Sequence, residues 1–372
     1  LRPAMEIIYI YIVFVSFVFA IVICIDIFNL TKNIKKDKYV ETDKDFAPKA
    51  LVIIPIKNID FGLEQNLKSI ASQNYPKYDV IAVADTLKDP AVAFSKRAKI
   101  KTIATANRKW PKNCSGKNRA IVSALIARPQ YKVYVIADSD IRVKKDWLKN
   151  LIAPLSESGI GVATTFPIII PANNDIWSKV KMQWGLVGQS LLNNERTRFA
   201  WGGSLAFKRE LIDERLFYLL TRSKYRISDD ISITKRAKEL KKRIAYVKNA
   251  APETMVKESR GSFFEWANRQ TALTLLGYRR NLQFGLAYYS AELLLTASGI
   301  LLALAVNPLF VVFLSHLIIS EYRAFSRTPK TYAVTAAITI AMPGIYLYNL
   351  IKAAKMKEIV WRGKTYRLST PG

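Results

Sequence analysis

Apolar residues are spread unevenly along this chain. Ile7 to Leu30 carries a single charged residue, Asp26. Leu282 to Ser320 holds one acid, Glu292, with neither Lys nor Arg, and Tyr332 to Ile351 has no charge at all. Crossing hydrocarbon takes about 20 mostly apolar residues, so these stretches read as membrane segments around a separate polar domain. The pattern predicts an anchor over 5–30, a basic linker over 31–49, a folded domain over 50–260 and an interfacial helix over 261–281. A membrane region over 282–351 and a basic tail over 352–372 follow. The first stretch is too long for a secretory signal core, and no small-x-small site follows it, so it reads as a retained anchor. Leu1 to Ala4 precede Met5 and lie ahead of the predicted anchor.

Between the apolar stretches, short buried runs alternate with amphipathic ones. Leu51 to Ile56 is continuously apolar, as a strand covered on both faces requires, and it ends in Pro55-Ile56-Lys57-Asn58. Leu63, Leu67, Ile70 and Ala71 share one helical face, which Tyr75-Pro76 terminates. Val80 to Ala84 is a second strand ending at Asp85, Ala91 to Arg97 a short helix, and Ile100 to Thr105 a third strand. A loop over Ala106 to Ser115 leads to a helix from Lys117 to Ala127, and the strand Val133 to Ala137 runs straight into Asp138. This alternation predicts an α/β fold with a mostly parallel sheet flanked by helices. Ligands of such sheets bind beyond the carboxyl ends of the strands, so Asn58, Asp85 and Asp138 are expected to share a cleft. Further on, strands are expected at Val162–Thr165, Leu205–Phe207 and Ile244–Val247. Helices are expected at Asp175–Asn194, from Ser228-Asp229-Asp230 onward, and at Phe263–Leu276.

Charge sharpens this picture. The 57 Lys and Arg against 29 Asp and Glu give a formal net charge of +28. Lys32, Lys35, Lys36 and Lys38 follow the first apolar stretch, and Arg279 and Arg280 precede the second. Such residues mark the cytoplasmic flanks of spans, and anionic lipid attracts each by roughly 1 kcal/mol. No nucleic-acid motif accompanies the charge, so a membrane with anionic lipid is favoured over nucleic acid as partner. Charged residues are too scarce within the spans to suggest a transport pathway. Cys24, Cys114 and His316 are too few for a disulfide framework or a Cys/His zinc site. General-base chemistry therefore falls to carboxylates, Lys or Tyr. The basic linker and the basic tail from Lys352 are both expected in the cytoplasm. That parity calls for two spans within Leu282–Ser320, divided near Asn307-Pro308, with the Pro343-Gly344 segment re-entrant or interfacial.

Several short motifs carry chemistry. Asp138-Ser139-Asp140 follows a buried strand, and two carboxylates in that setting can hold Mg²⁺ or Mn²⁺, ions that also bind diphosphate oxygens; the triplet is equally a common turn. Asp229-Asp230 can supply a general base or cap a helix. Ser115-Gly116-Lys117-Asn118 opens a helix whose amides favour phosphate. It is not a Walker A loop, since Pro111 stands where the first glycine belongs, and no G-x-G-x-x-G follows the first strand. Trp201-Gly202-Gly203-Ser204 permits close approach of a ligand or a bulge. Trp266 and Arg269 lie one helical turn apart, where Arg269 can hold a phosphate or anchor the helix at lipid. Trp177, Trp184, Phe263, Phe264 and Trp266 are candidates for an amphipathic entrance or for a plain core.

Taken in order, these motifs resemble the family 2 inverting glycosyltransferases, most closely the ceramide glucosyltransferase branch, from about Leu51 to the C-terminus. Pro55-Ile56-Lys57-Asn58 is similar to the family's first nucleotide-contacting segment. Asp85 falls where the family's first acidic residue contacts the base, with Asp89 a competing match. Gly116-Lys117 resembles the Gly-Lys step near the donor, and Asp138-Ser139-Asp140-Ile141-Arg142-Val143 the metal motif. Asp229-Asp230 resembles the acidic pair whose second member is the base, and Trp361-Arg362-Gly363-Lys364-Thr365-Tyr366-Arg367 the tail of the branch. The Gln/Arg-x-x-Arg-Trp element appears as Trp266-x-x-Arg269-Gln270, with the arginine kept and the aromatic displaced.

The resemblance implies a glycosyltransferase-A-type fold on a membrane anchor. It implies metal-assisted transfer, with inversion, from a nucleotide-diphosphate sugar to a lipid hydroxyl, the donor being a UDP-sugar such as UDP-glucose. Asp230 would be the base, and Asp140 and Asp138 the ligands of Mn²⁺ or Mg²⁺. Pro55, Lys57, Asn58, Asp85 or Asp89, Gly116, Lys117, Asp138, Ser139 and Arg269 would face the donor. Trp201, Gly202, Gly203, Asp229 and Trp266 would face the acceptor. Two rival readings are a polyprenyl-phosphate glycosyltransferase and a basic, membrane-tethered nucleic-acid-binding protein without catalysis.

Overall fold

A computed structural model describes residues 2–34, 46–327 and 332–368. Lys35, Lys36 and Lys38 of the expected linker lie outside the described residues. The elements begin α1 (Arg2–Ile34), β1 (Ala50–Ile56), α2 (Leu63–Ala71), β2 (Tyr78–Ala84), α3 (Ala91–Arg97), β3 (Lys101–Ala104), α4 (Gly116–Ala127) and β4 (Val133–Ala137). Next come β5 (Ile141–Arg142), α5 (Trp147–Ile152), β6 (Ile160–Thr164), β7 (Ile168–Pro171), α6 (Ile176–Trp184), α7 (Leu186–Asn193) and β8 (Ser204–Lys208). The chain closes with α8 (Glu214–Thr221), α9 (Asp229–Glu239), β9 (Arg243–Tyr246), β10 (Glu253–Val256), α10 (Arg260–Gly277), α11 (Arg280–Ala305), α12 (Ser315–Arg327), α13 (Tyr332–Ala354), β11 (Glu358–Trp361) and β12 (Lys364–Arg367). They form two compact units: Leu1–Lys35, Asn173–Ser190 and Lys257–Met356 in one, and Lys36–Ala172, Leu191–Val256 and Lys357–Gly372 in the other.

The second unit is mixed α/β. Its main sheet runs in the order β3-β2-β1-β4-β8-β6-β9. Four neighbouring pairs are parallel, and only β8 runs antiparallel to both its neighbours, β4 and β6. The apolar run of β1 has a simple cause. Val52, Ile54 and Ile56 pack on one face with Leu67 and Ile70 of α2 and with Trp147 and Leu151 of α5. Leu51 and Ile53 pack on the other with Ile121 and Leu125 of α4 and with Leu216 and Leu220 of α8. Both faces are dry, so no alternation with polar residues is possible. Pro55 is tolerated because the β4 pairing has already ended at Ile53↔Ile136. A small sheet, β5-β10-β7, and the hairpin β11-β12 complete the unit. None of these five short strands stands out in the apolar pattern.

The first unit collects the apolar helices. Among the described residues, four stretches are long and apolar enough to cross a membrane: Met5–Lys32, Arg280–Ala305, Pro308–Phe325 and Ala336–Ala354. Near Asn307-Pro308, α11 ends at Ala305 and Asn307 caps the next turn through the Leu309 amide. Polar contacts tie the helices together where water cannot compete. Tyr288 donates to Asp26, Tyr11 bonds Ser298 at 2.7 Å, and Thr296 meets His316 at 3.2 Å. Gly285 and Gly299 leave room for Leu350 and Leu314, which a Cβ would meet at 2.7 and 2.8 Å.

Two expectations change here. The helix expected over Asp175–Asn194 is two helices, broken at Gly185. No interruption marks Pro343-Gly344, because α13 runs through Pro343 unbroken. The missing proline N–H leaves one carbonyl a turn back without its helical partner, which membrane helices tolerate when other groups are near. Ile53→Ala, at a site with 0% exposure, is expected to lower stability by about 2–5 kcal/mol. Thermal unfolding of the detergent-solubilised protein measures this, and a shift below one degree would contradict the packing of β1.

Candidate functional site

The sheet order fixes where a site can form. β2 lies on one side of β1 and β4 on the other, so the strand order reverses between β1 and β4. A crevice opens at such a point, beyond the carboxyl ends of the parallel strands. Lys57 follows β1, Asp85 follows β2 and Asp138 follows β4. Because β8 is antiparallel to β4, with Ala137 opposite Ser204, the start of β8 lies at the same end. The Trp201-Gly202-Gly203 segment therefore arrives beside Asp138, whose N–H donates to the Gly203 carbonyl at 3.0 Å.

Lys117, in the first turn of α4, is central to this crevice. Its Nζ lies 2.8 Å from Asp138 Oδ1 and 3.2 Å from Asp229 Oδ2, and it donates to the Gly202 carbonyl at 3.1 Å. Asp230 accepts from the Gly202 N–H at 2.9 Å. Ser228 caps α9 through the Ile231 amide, which sets both aspartates in the first turn. Asn118, buried one residue beyond Lys117, donates to the Leu220 and Arg226 carbonyls at 2.9 Å each, so α4 holds the loop that leads to α9. The approach of Gly202 to the acids is close. A Cβ there would lie 2.1 Å from Asp229 Oδ2 and 2.3 Å from Asp230 Oδ1.

Crowding around one ammonium shifts the protonation of Asp138 and Asp230. Burial raises the Asp138 carboxyl; Lys117 pulls it back, and Asp229 raises it again. Asp230 stands well above the ordinary carboxylate range, first through burial and then through Asp229, against the pull of Lys117. Burial alone would lower Lys117, but Asp138, Asp229 and Asp230 outweigh it and hold the ammonium charged. Burial pushes the Cys114 thiol up to about 11, which removes thiolate chemistry from the neighbourhood at neutral pH.

The remaining candidates sort themselves by their partners. Asp85 is ringed by cations: Arg119 at 3.0 Å, Lys364 at 3.6 Å and Lys57 at 3.9 Å. Gly116 lies beside it, since a Cβ there would meet Asp85 at 3.8 Å. Asp89 instead accepts the backbone N–H of Asn58 at 3.0 Å and of Ala91 at 2.9 Å, an arrangement that fixes a turn. Asn58 itself is exposed with φ 58°. Ser139 faces away from solvent, donating to Asp60 at 2.6 Å while its carbonyl accepts from Asn66 at 3.2 Å. Asp60 was not among the residues anticipated from the sequence, although a carboxylate in the same loop as Lys57 and Asn58 is a usable signal. Pro55 is half-buried at the end of β1, and Trp201 tilts on Phe166 at 5.5 Å. Trp266 and Arg269 lie on α10 of the apolar-helix unit. There Trp266 packs edge-on to Trp184 at 4.8 Å and under Lys181 at 4.3 Å, and Trp177 meets Phe263 and Phe264 at 5.7 and 5.6 Å.

Among the described residues no three His, Cys, Asp or Glu side chains gather as a metal cage. Asp138 and half-buried Asp140 nonetheless offer oxygen ligands of the kind that suit a hard divalent ion. Such an ion keeps several waters and takes substrate phosphates, so two protein carboxylates suffice.

The chain is similar in sequence to glycosyl transferase family 21, whose model matches residues 13–372. No curated protein sequence matches it significantly. Among solved structures it is similar to the mannosyltransferase PcManGT from Pyrobaculum calidifontis in complex with GDP-Man and Mn²⁺. That likeness has 17% identity over 91% of this chain and 96% of the other, with a TM-score of 0.54. It is also similar to glucosyl-3-phosphoglycerate synthase from Mycobacterium tuberculosis in complex with Mn²⁺ and UDP-glucose. Here identity is 15% over 62% of this chain and 79% of the other, with a TM-score of 0.42. The first likeness carries the fold, a glycosyltransferase-A-type sheet flanked by helices.

Gly202→Ala is expected to push the Asp229-Asp230 pair out of place and to cost about 1–3 kcal/mol through overpacking, read as a melting point several degrees lower. Gly261→Ala, where the nearest atom is 3.9 Å away, should leave the melting point unchanged. Equal behaviour of the two variants would contradict the close approach at Gly202.

Proposed function

Because the chain belongs to glycosyl transferase family 21, we propose that it moves a sugar, with inversion, from a nucleotide-diphosphate sugar to a lipid hydroxyl. The donor we favour is a UDP-sugar such as UDP-glucose, and the branch we favour is the ceramide glucosyltransferase-like one. The observation that carries this reading is the juxtaposition of Asp138 with Asp229 and Asp230 across Lys117. It brings a turn able to meet a diphosphate beside a carboxylate able to take a proton.

In this mechanism Asp230 accepts the proton of the acceptor hydroxyl as that oxygen attacks the anomeric carbon. The Gly202 N–H orients the carboxylate, and Lys117 limits the repulsion among Asp138, Asp229 and Asp230. Asp140 and Asp138 would hold Mn²⁺ or Mg²⁺, which when bound neutralises charge on the leaving diphosphate. Asp85, rather than turn-forming Asp89, faces the nucleoside, with Lys57, Gly116 and Ser139 nearby. The acceptor side takes Trp201 and Gly203, and the candidate spans supply the setting for a lipid substrate.

Sidedness follows from chain parity. The polypeptide leaves the α/β unit after Val256 and rejoins it at Lys357. Both junctions must face the same compartment, so the intervening chain crosses the membrane an even number of times. We assign crossings to α11 and to Pro308–Phe325, and an interfacial course to the unbroken α13. One face of α13 supports this: Thr339, Tyr346 and Asn349 bond Gln183 and Trp184 of α6, and Asn349 also bonds Asn268 of α10. Lys32, Arg279, Arg280 and Lys352 mark the α/β side as cytoplasmic.

Thermal stabilisation by a panel of nucleotide sugars, with and without Mn²⁺, tests the donor reading; no metal-dependent shift with any of them would sink it. Asp230→Asn is expected to reduce transfer by at least about 10²-fold, at the lower end of general-base contributions, while donor binding persists. A raised carboxylate that must ionise to act makes kcat/KM climb with pH. Its half-point should lie above the ordinary value of 3.8, and a flat profile from there to neutrality would exclude Asp230 as the base.

A further inference from the structure

The C-terminal hairpin folds with the α/β unit, although four apolar stretches precede it in the chain. Its two-residue turn, Arg362-Gly363, has φ 51° and 73°, the left-handed pair that a tight hairpin needs. Glycine adopts this freely. Arginine is a poor choice there, where Asn, Asp or Gly is usual, and a residue held in such a state directs attention to what its side chain does.

The Arg362 side chain reaches back into the candidate donor site. Its Nη2 pairs with Asp60 Oδ1 at 2.7 Å, and its Nη1 donates to the Lys57 carbonyl at 3.0 Å. The other Asp60 oxygen accepts the Ser139 hydroxyl at 2.6 Å. A continuous chain of bonds thus runs from the hairpin tip to the middle residue of Asp138-Ser139-Asp140. Two further bonds hold the hairpin in register. Asn113, at φ 68°, accepts from the Arg367 N–H at 2.8 Å and donates to its carbonyl. Tyr366 is buried with the Gly116 backbone facing its hydroxyl. Lys364 adds a cation 3.6 Å from Asp85.

We propose that Arg362 is a positioning residue for the donor site, holding the Asp138-Ser139-Asp140 turn through Asp60. The inference rests on the donor reading given above. Arg362 holds Asp60 by one bond and the Lys57 carbonyl by another, a pair of directions that lysine reproduces only in part. It also balances a carboxylate that would otherwise repel incoming phosphate oxygens. With Arg362 removed, Asp60 is free to turn and Ser139 loses a fixed acceptor.

The test uses the full chain in detergent, with UDP-glucose and GDP-mannose each titrated calorimetrically in the presence of Mn²⁺. For the sugar nucleotide that the wild type binds, Arg362→Ala is expected to weaken binding about tenfold or more, the worth of a charged hydrogen bond. The donor KM should rise in step while kcat changes less than about threefold, and Arg362→Lys should recover part of the loss. Asp60→Asn, which leaves the hairpin sequence intact, is expected to weaken binding too, and its effect should not add to that of Arg362→Ala. If Arg362→Ala lowers the melting point as well, the Asp60→Asn result decides: unchanged affinity overturns the proposal. Wild-type affinity in Arg362→Ala, or additive effects of the two changes, overturns it while the donor reading stands. A wild-type protein that binds neither nucleotide sugar overturns both.

Discussion

The candidate site depends on one ammonium group. Lys117 Nζ stands between Asp138, at the end of β4, and Asp229, at the start of α9, and also holds the Gly202 carbonyl ahead of β8. Three elements that share no local sequence meet on it. Without this cation, Asp138 and Asp230 would be driven further toward their neutral forms by burial and by the Asp229 charge. With it, Asp138 and Asp230 still stand raised, by burial first and then by Asp229. A further cation beside them would favour their charged forms. The proposed metal therefore has an electrostatic rationale in the chain itself, and its arrival would release protons from the carboxyls it neutralises.

The sheet explains why these groups meet at all. A wholly parallel sheet would bring only strand ends to the crevice. The antiparallel β8, inserted between β4 and β6, turns the order around and delivers the start of a strand there. That start must have no side chain where it passes the acids, because a Cβ at Gly202 would overlap both carboxylates. The Gly202 N–H then becomes the donor that orients Asp230. A glycine, an antiparallel strand and the Asp230 carboxylate are thus parts of a single constraint rather than separate features of the sequence.

What was legible in the sequence is what local chemistry decides. The runs of β1, β2 and β4 show because both faces are dry, and the cap at Ser228 shows because a helix start needs it. The break before Asn307 shows because a long apolar run with neither Lys nor Arg contains a turn signal. The short strands β5, β7 and β10 do not show, since each is stabilised by partners remote in sequence. Asp85 and Asp89 looked alike as letters; the difference is that backbone amides of Asn58 and Ala91 already occupy Asp89. Pro343 reads as a breaker by propensity, yet the surrounding helices let α13 continue. Asp60 passes unnoticed because its role exists only once Ser139 and Arg362 have been brought to it.

The tail gives this remoteness a consequence for how the protein is completed. Lys57 and Arg362 are joined by a hydrogen bond across nearly the full length of the chain, and every candidate span after the α/β unit lies between them. The α/β core can close around β1, β4 and β8 as soon as those strands exist. Asp60, in the loop after β1, cannot acquire its Arg362 contact until the chain has passed through the apolar helices and returned. An odd number of crossings would put the hairpin in the wrong compartment and leave Asp60 uncompensated. Membrane topology and donor-site geometry are therefore linked through one residue at a hairpin tip, and the parity of the spans becomes a condition on the site's charge balance rather than only on where the chain ends.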